Sequence, residues 1–221
     1  MGICTQEYWK FAYICDKMDA GFFYWPACSA CFYMQYETVL ERQIGEMKNI
    51  TVKDIVNATG GFLLCGDEDT PITGLCIDSR KAQAGDLFIP LLGNKVDGHR
   101  FIEPAMERAS ATLTSEHDNV VISEKPFIRV DDTMKALQAI GKDIRGRYDI
   151  PYIGVTGSVG KTTTREMIAA AVGTGRHCFQ TNGNENSQIG VPMTLSRMTD
   201  GYDAAVIEMG ISEPGQMEIL S

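Results

Sequence analysis

The run Gly154-Val-Thr-Gly157-Ser-Val-Gly160-Lys161-Thr162-Thr163-Thr164 constrains this chain more than any other feature. Before it, Pro151 introduces an apolar stretch at 152–155 that reads as a buried strand. After it, residues 162–172 carry Met167, Ile168, Ala171 and Val172 at helical spacing. Strand, glycine-rich turn and helix in that order make a cradle for phosphate. Glycines let backbone N–H groups close on phosphate oxygens, and the helix N-terminus adds positive potential. Lys161 is placed to neutralise β- and γ-phosphates, and the Thr162 hydroxyl to ligate Mg²⁺. The expected ATP-binding residues are therefore Gly157, Ser158, Val159, Gly160, Lys161, Thr162 and Thr163, with Lys161 the catalytic one. The usual pattern wants a further glycine five residues before Gly160, where this chain has Val155 and places Gly154 one position earlier.

Nucleotide chemistry also needs a carboxylate at a strand end to hold Mg²⁺ directly or through water. Glu208 follows the apolar run at 204–207 and meets that need, so Thr162 and Glu208 form the expected metal pair. Strands at 178–181 and 204–209 would join 152–155 in a parallel sheet. Upstream, Thr51 caps a helix through Ala58 with Asp54 three residues on, and Val52, Ile55 and Val56 turn inward. Strands are expected at 74–78, 87–91, 111–114 and 127–130, with a helix near 101–109 that Pro104 kinks or delays. Asp131 or Asp132 caps a further helix through about Arg147, with Met134, Leu137, Ile140, Gly141 and Ile144 on one face. The fold class is α/β: a small mixed α/β domain at 47–149, then an incomplete phosphate-loop parallel-sheet domain at 150–221.

Composition separates a third part. Of 221 residues, 44% are hydrophobic and 22% charged, which excludes disorder, collagen and coiled coil. The formal charge of -9 without a basic patch argues against nucleic acid as a partner. More than half of the aromatic residues and four of the seven cysteines fall before Met47, so residues 1–46 read as an extension of unknown role. Its Cys28-Ser-Ala-Cys31 is half a zinc site, a redox pair or neither. The uncharged run at 20–36 contains Pro26 and Gln35 and falls short of the roughly 20 residues a spanning helix needs, so no stable membrane insertion is expected. An odd cysteine count without a secretion signal points to reduced thiols and the cytoplasm. His99, His117 and His177 have no metal or triad spacing and are expected to be structural or on the surface, while Met106, Met134 and Met167 sit at core spacing.

The chain resembles the Mur ligases, ATP-dependent amide-forming enzymes of peptidoglycan precursor synthesis. The likeness is carried by 156–163, by Thr181-Asn-Gly-Asn184-Glu-Asn186-Ser-Gln-Ile-Gly190-Val-Pro192-Met-Thr-Leu195, and by Val206-Ile-Glu208-Met-Gly210. Asp78-Ser79-Arg80, Gly85-Asp86-Leu-Phe-Ile-Pro90 and Asp97-Gly98-His99 extend it into the first domain. Val159 stands where many members have Asn, and Ser187 where Asn is common. Met209-Gly210 replaces the Ser-Ser-His of the branch that adds the third peptide residue, which favours the branch acting on UDP-N-acetylmuramoyl-tripeptide and D-alanyl-D-alanine. The resemblance implies that Ser79 and Arg80 meet the uridine nucleotide end of the substrate and that Asn184 and Asn186 line the substrate side of the second domain. The residues alone also allow a strand-end turn at 79–80 and turn-forming asparagines at 184 and 186. It further implies a third domain and a longer second one, so this chain is expected to be an incomplete form. Another phosphate-loop ATPase or kinase, and a non-catalytic nucleotide or UDP-sugar binding module, remain the alternatives.

Overall fold

A computed structural model describes residues 50–93, 96–116 and 123–220. The extension at 1–46, its Cys28 and Cys31, the run at 20–36 and His117 lie outside the described residues.

The first sheet has five strands: β2 (Phe62–Cys65), β4 (Gly74–Cys76), β5 (Asp86–Phe88), β6 (Ala111–Thr114) and β7 (Phe127–Arg129). Their order is β2-β7-β6-β5-β4, parallel throughout except for β2, which runs antiparallel to β7 with a bulge between Leu63 and Cys65. The four strands expected from apolar runs are present with their C-terminal ends trimmed or, at 111–114, unchanged. Two short strands, β1 (Ile50–Thr51) and β3 (Pro71–Ile72), pair separately.

Helix α1 (Val52–Thr59) starts on a closed capping box: the Thr51 N–H donates to Asp54 Oδ2 at 2.8 Å, and Asp54 N–H donates back to Thr51 Oγ1 at 3.5 Å. The expected 101–109 helix becomes a 3₁₀ turn, Gly98–Phe101, followed by the short α2 (Ile102–Met106). Pro104 is tolerated because the first-turn N–H groups of a helix lack intrahelical partners in any case. His99 is buried in that 3₁₀ turn. Its Nε2 accepts the backbone N–H of Ser115 at 3.0 Å, so its proton sits on Nδ1, 2.7 Å from Asp97 Oδ1. Asp97 and His99 also cluster with Glu116, but with both ring nitrogens engaged the histidine clasps the turn to the end of β6, the structural role expected for it.

Asp132 caps α3 (Thr133–Gly146), accepting from the N–H groups of Met134 and Lys135 at 2.8 and 3.1 Å. Ala136, Leu137, Ile140, Gly141 and Ile144 form its buried face. Beyond it lies the second sheet, β8 (Tyr152–Val155), β9 (Cys178–Gln180) and β10 (Ala204–Glu208), all parallel in the order β8-β10-β9. Helix α4 (Lys161–Gly173) covers one face of this sheet, α5 (Gly190–Leu195) lies toward α3, and α6 (Gln216–Leu220) ends the described chain.

The apolar core does not break between the two sheets. One cluster runs from Ile50, Ile55 and Leu87 through Leu137 and Ile140 to Val191, Leu195, Met198 and Ile207. Tyr148 donates its hydroxyl to the Met198 carbonyl at 2.7 Å across the same junction. Contact between α3 and α5 is close because Gly141 has no side chain: a Cβ there would lie 2.9 Å from Pro192 Cβ and 3.0 Å from Pro192 Cα. Gly141→Ala would gain about 1 kcal/mol of helix propensity, but overpacking costs about 1–3 kcal/mol. Gly141→Val adds more bulk and recovers only part of that propensity, so it should lower the urea midpoint measured by circular dichroism.

Alternation along β10 decides what reaches each face of the second sheet. Ala205, Ile207 and Met209 enter the continuous core, whereas Val206 packs under α4 with Val155 and Ala169. Glu208, two residues past Val206, therefore points to the α4 side.

The inward stripe of α4 differs from expectation. Met167 is 69% exposed and Ala171 is exposed, while Arg165 and Ala169 are buried with Ile168 and Val172 beside them. At 100° per residue the 165–169 row and the 167–171 row lie on different sides, and Arg165 turns inward because its partner lies on β10.

Candidate functional site

The turn after β8 takes two backbone conformations that favour glycine, φ +147° at Gly157 and +76° at Gly160, the residue preceding α4. Gly154 belongs instead to β8 and contributes nothing to the turn. A Cβ there would fall 2.4 Å from Met209 Cε, so its missing side chain makes room for a neighbour in the core.

Between the turn and β10 lies a cavity of about 410 Å³ lined by Ser158, Val159, Gly160, Lys161, Thr162, Thr163, Asn184, Asn186 and Glu208. All nine were expected from the loop, the asparagine motif or the strand-end carboxylate, and they surround one space, with Val159 79% exposed. Gly157, also expected there, does not line the cavity, and its carbonyl accepts from Lys161 Nζ at 2.9 Å.

Glu208 is the electrostatic centre. It is 1% exposed, and its Oε2 accepts from Thr162 Oγ1 at 3.0 Å and Arg165 Nη1 at 3.2 Å. Its Oε1 accepts from Asn186 Nδ2 at 2.8 Å, and its own N–H donates to Thr181 Oγ1 at 2.9 Å. Asn186 is further fixed by its carbonyl, which accepts the Gly210 N–H at 2.7 Å. Asn184 is exposed on the cavity rim. The donor set is hard oxygen, suited to Mg²⁺. The 3.0 Å between Thr162 Oγ1 and Glu208 Oε2 is close to the roughly 2.9 Å between adjacent ligands of an octahedral ion with 2.0–2.1 Å bonds. These two residues could hold magnesium, with Glu208 acting directly or through water.

Ser79 and Arg80 lie elsewhere, in a 3₁₀ turn (Ser79–Lys81) after β4, and do not line this cavity. Arg80 is 87% exposed and clasps Asp78 through Nε and Nη2 at 2.9 and 2.8 Å. That hydrogen bonding leads in holding the Asp78 carboxyl down to about 2.

Arg165 escaped the sequence reading. The signal was a cation four residues after Lys161 inside the inward stripe of a helix, a position where charge must be paired. Among the described residues no helix is long and apolar enough to cross a membrane.

A parallel sheet whose strand runs through a glycine turn into a helix opening with Lys161-Thr162, opposite a buried strand-end carboxylate, defines the phosphate-loop architecture. Comparison with known proteins narrows the class. The Mur ligase family, catalytic domain, matches residues 71–145, and the Mur ligase middle domain matches residues 155–221. A UDP-N-acetylmuramoyl-tripeptide–D-alanyl-D-alanine ligase of Bacillus subtilis (strain 168) is 41% identical over 173 residues, covering 77% of this chain and 38% of that protein. MurF from Acinetobacter baumannii superimposes with a TM-score of 0.69 at 30% identity, over 77% of this chain and 38% of the other. MurF ligase from Thermotoga maritima, solved in complex with ADP, gives 0.60 at 30% identity, over 66% and 34%. The chain belongs to the Mur ligase family, and within it to the MurF type. It spans less than two-fifths of the length of these relatives.

Proposed function

We propose that this chain carries the ATP-binding part, and the uridine nucleotide-binding part, of a ligase that joins D-alanyl-D-alanine to UDP-N-acetylmuramoyl-tripeptide. The observation that carries the reading is the cavity in which Lys161 and Thr162 at the start of α4 face the buried Glu208. Residues 47–149 would form the unit for the UDP-linked substrate and 150–221 the unit for ATP.

A carboxylate resists attack by an amine until one oxygen becomes a leaving group. The peptide carboxylate takes the γ-phosphoryl group of ATP, giving an acyl phosphate and ADP, and the amine of D-alanyl-D-alanine then displaces phosphate. Catalysis of phosphoryl transfer is mainly positioning and charge stabilisation. Lys161, now turned onto the Gly157 carbonyl, would leave it for phosphate oxygens, which are the stronger acceptors. The N–H groups of 158–163 would ring the phosphates at the helix N-terminus. Magnesium at Thr162 and Glu208 would supply further neutralisation of the phosphate charge. Asn184 and Asn186 would face the substrate, and the free edge of the Arg80 guanidinium, with Ser79, would meet the uridine diphosphate end. ATP and UDP-linked sugars are cytoplasmic metabolites, so the reading places the protein there.

The test is ADP formation by this chain expressed with whatever sequence follows Ser221 in its gene. ADP release should require both UDP-N-acetylmuramoyl-tripeptide and D-alanyl-D-alanine. Release indifferent to either substrate would overturn the ligase reading in favour of another ATPase.

A further inference from the structure

We infer that Arg165 is a positioning residue for the nucleotide site: it fixes the Glu208 carboxylate for the metal and ties the asparagine loop to α4. The inference rests on the ATP and magnesium reading proposed above for the same cavity. Arg165 lies one helical turn beyond Lys161, with its side chain 5% exposed. It does not line the cavity, so it would act through its neighbours rather than on the nucleotide.

Nη1 spans two elements, donating to Glu208 Oε2 on β10 at 3.2 Å and to the Gly183 carbonyl at 2.9 Å. Gly183 begins the segment that supplies Asn184 and Asn186. Nη2 is anchored at 3.3 Å on the neighbouring Glu166, and Nε is buried without a partner among the described residues. Removal of Arg165 would leave a carboxylate that is 1% exposed without its cation and free to rotate. With Arg165 on Oε2 and Asn186 on Oε1, the carboxylate plane is set from two sides and Oε2 is directed at Thr162. The planar guanidinium suits this bridging, whereas a lysine ammonium would compensate the charge without matching the geometry.

The experiment is calorimetric titration of ATP into the 221-residue chain, once with saturating Mg²⁺ and once with EDTA. Wild type should bind ATP more tightly with Mg²⁺ than with EDTA. Arg165→Met should lose most of that gain, by roughly 10- to 100-fold, as expected when the support of a metal ligand is removed. Its affinity in EDTA, which reports the loop alone, should stay close to that of the wild type, and Arg165→Lys should fall between. If Arg165→Met keeps the wild-type gain, or loses affinity equally with Mg²⁺ and EDTA, the positioning role is overturned, the second outcome marking a merely structural residue. If Arg165→Met does not fold by circular dichroism, Arg165→Lys decides: a reduced gain at unchanged EDTA affinity supports the role, and any other result overturns it. A wild type that binds no better with Mg²⁺ overturns the metal reading of the site and the role of Arg165 with it.

Discussion

Glu208→Ala is expected to destabilise the protein by about 3–5 kcal/mol, the usual cost of breaking a buried ion pair from one side. The loss arises chiefly at what remains. Arg165, buried on α4, would keep its charge with, among the described residues, only the Gly183 carbonyl and the partly exposed Glu166 for partners. Thr162 and Asn186 would each lose the carboxylate oxygen they now donate to. Glu208→Gln keeps the volume but presents an NH₂ group where protein donors already point, so it should also destabilise the fold. Urea unfolding followed by circular dichroism measures the effect. A loss below about 1 kcal/mol, the range of an exposed pair, would show that the Arg165–Glu208 contact is not closed in solution.

Leu137→Ala should cost about 2–5 kcal/mol, because the side chain is fully buried in the cluster that joins the two sheets. For a chain of this size that corresponds to a fall in melting temperature of roughly 4–20 °C. The expected form of the transition is as telling as its size. Since the cluster runs from Ile55 and Leu87 to Leu195 and Ile207, both sheets should melt together, giving one lower transition in calorimetry. A variant in which only one of two separate transitions moved would contradict a shared core.

What the sequence discloses and what it hides follow from distance along the chain. The phosphate turn is legible because its chemistry is consecutive: Gly160 supplies the backbone conformation, and Lys161 and Thr162 open the helix in the next two positions. Glu208 is legible because an apolar run ends on it. Arg165 is not, since its meaning depends on a carboxylate 43 residues away, and until that partner is known a helical arginine reads as surface. The same gap explains Met167. Rows on different sides of α4 both carry apolar residues, and the one containing Arg165 and Ala169 is the one that meets β10. Strands β1 and β3 are two residues each, too short for any alternation to register, and β2 begins on the 59% exposed Phe62. Gly154 misleads for a different reason. A glycine beside a glycine-rich turn reads as part of the turn, whereas here it gives space to Met209, 55 positions later.

A cradle between β8 and α4 that holds the phosphates of ATP must draw part of its affinity from Lys161. ATP with Mg²⁺ is titrated by calorimetry into the wild-type chain and into Lys161→Ala. One saturable site is expected in the wild type. A hydrogen bond to a charged group contributes about 1.5–3 kcal/mol, so affinity in the variant should fall by roughly 10- to 100-fold with the fold intact. Equal affinity in the two proteins, or no binding in the wild type, would contradict phosphate binding there.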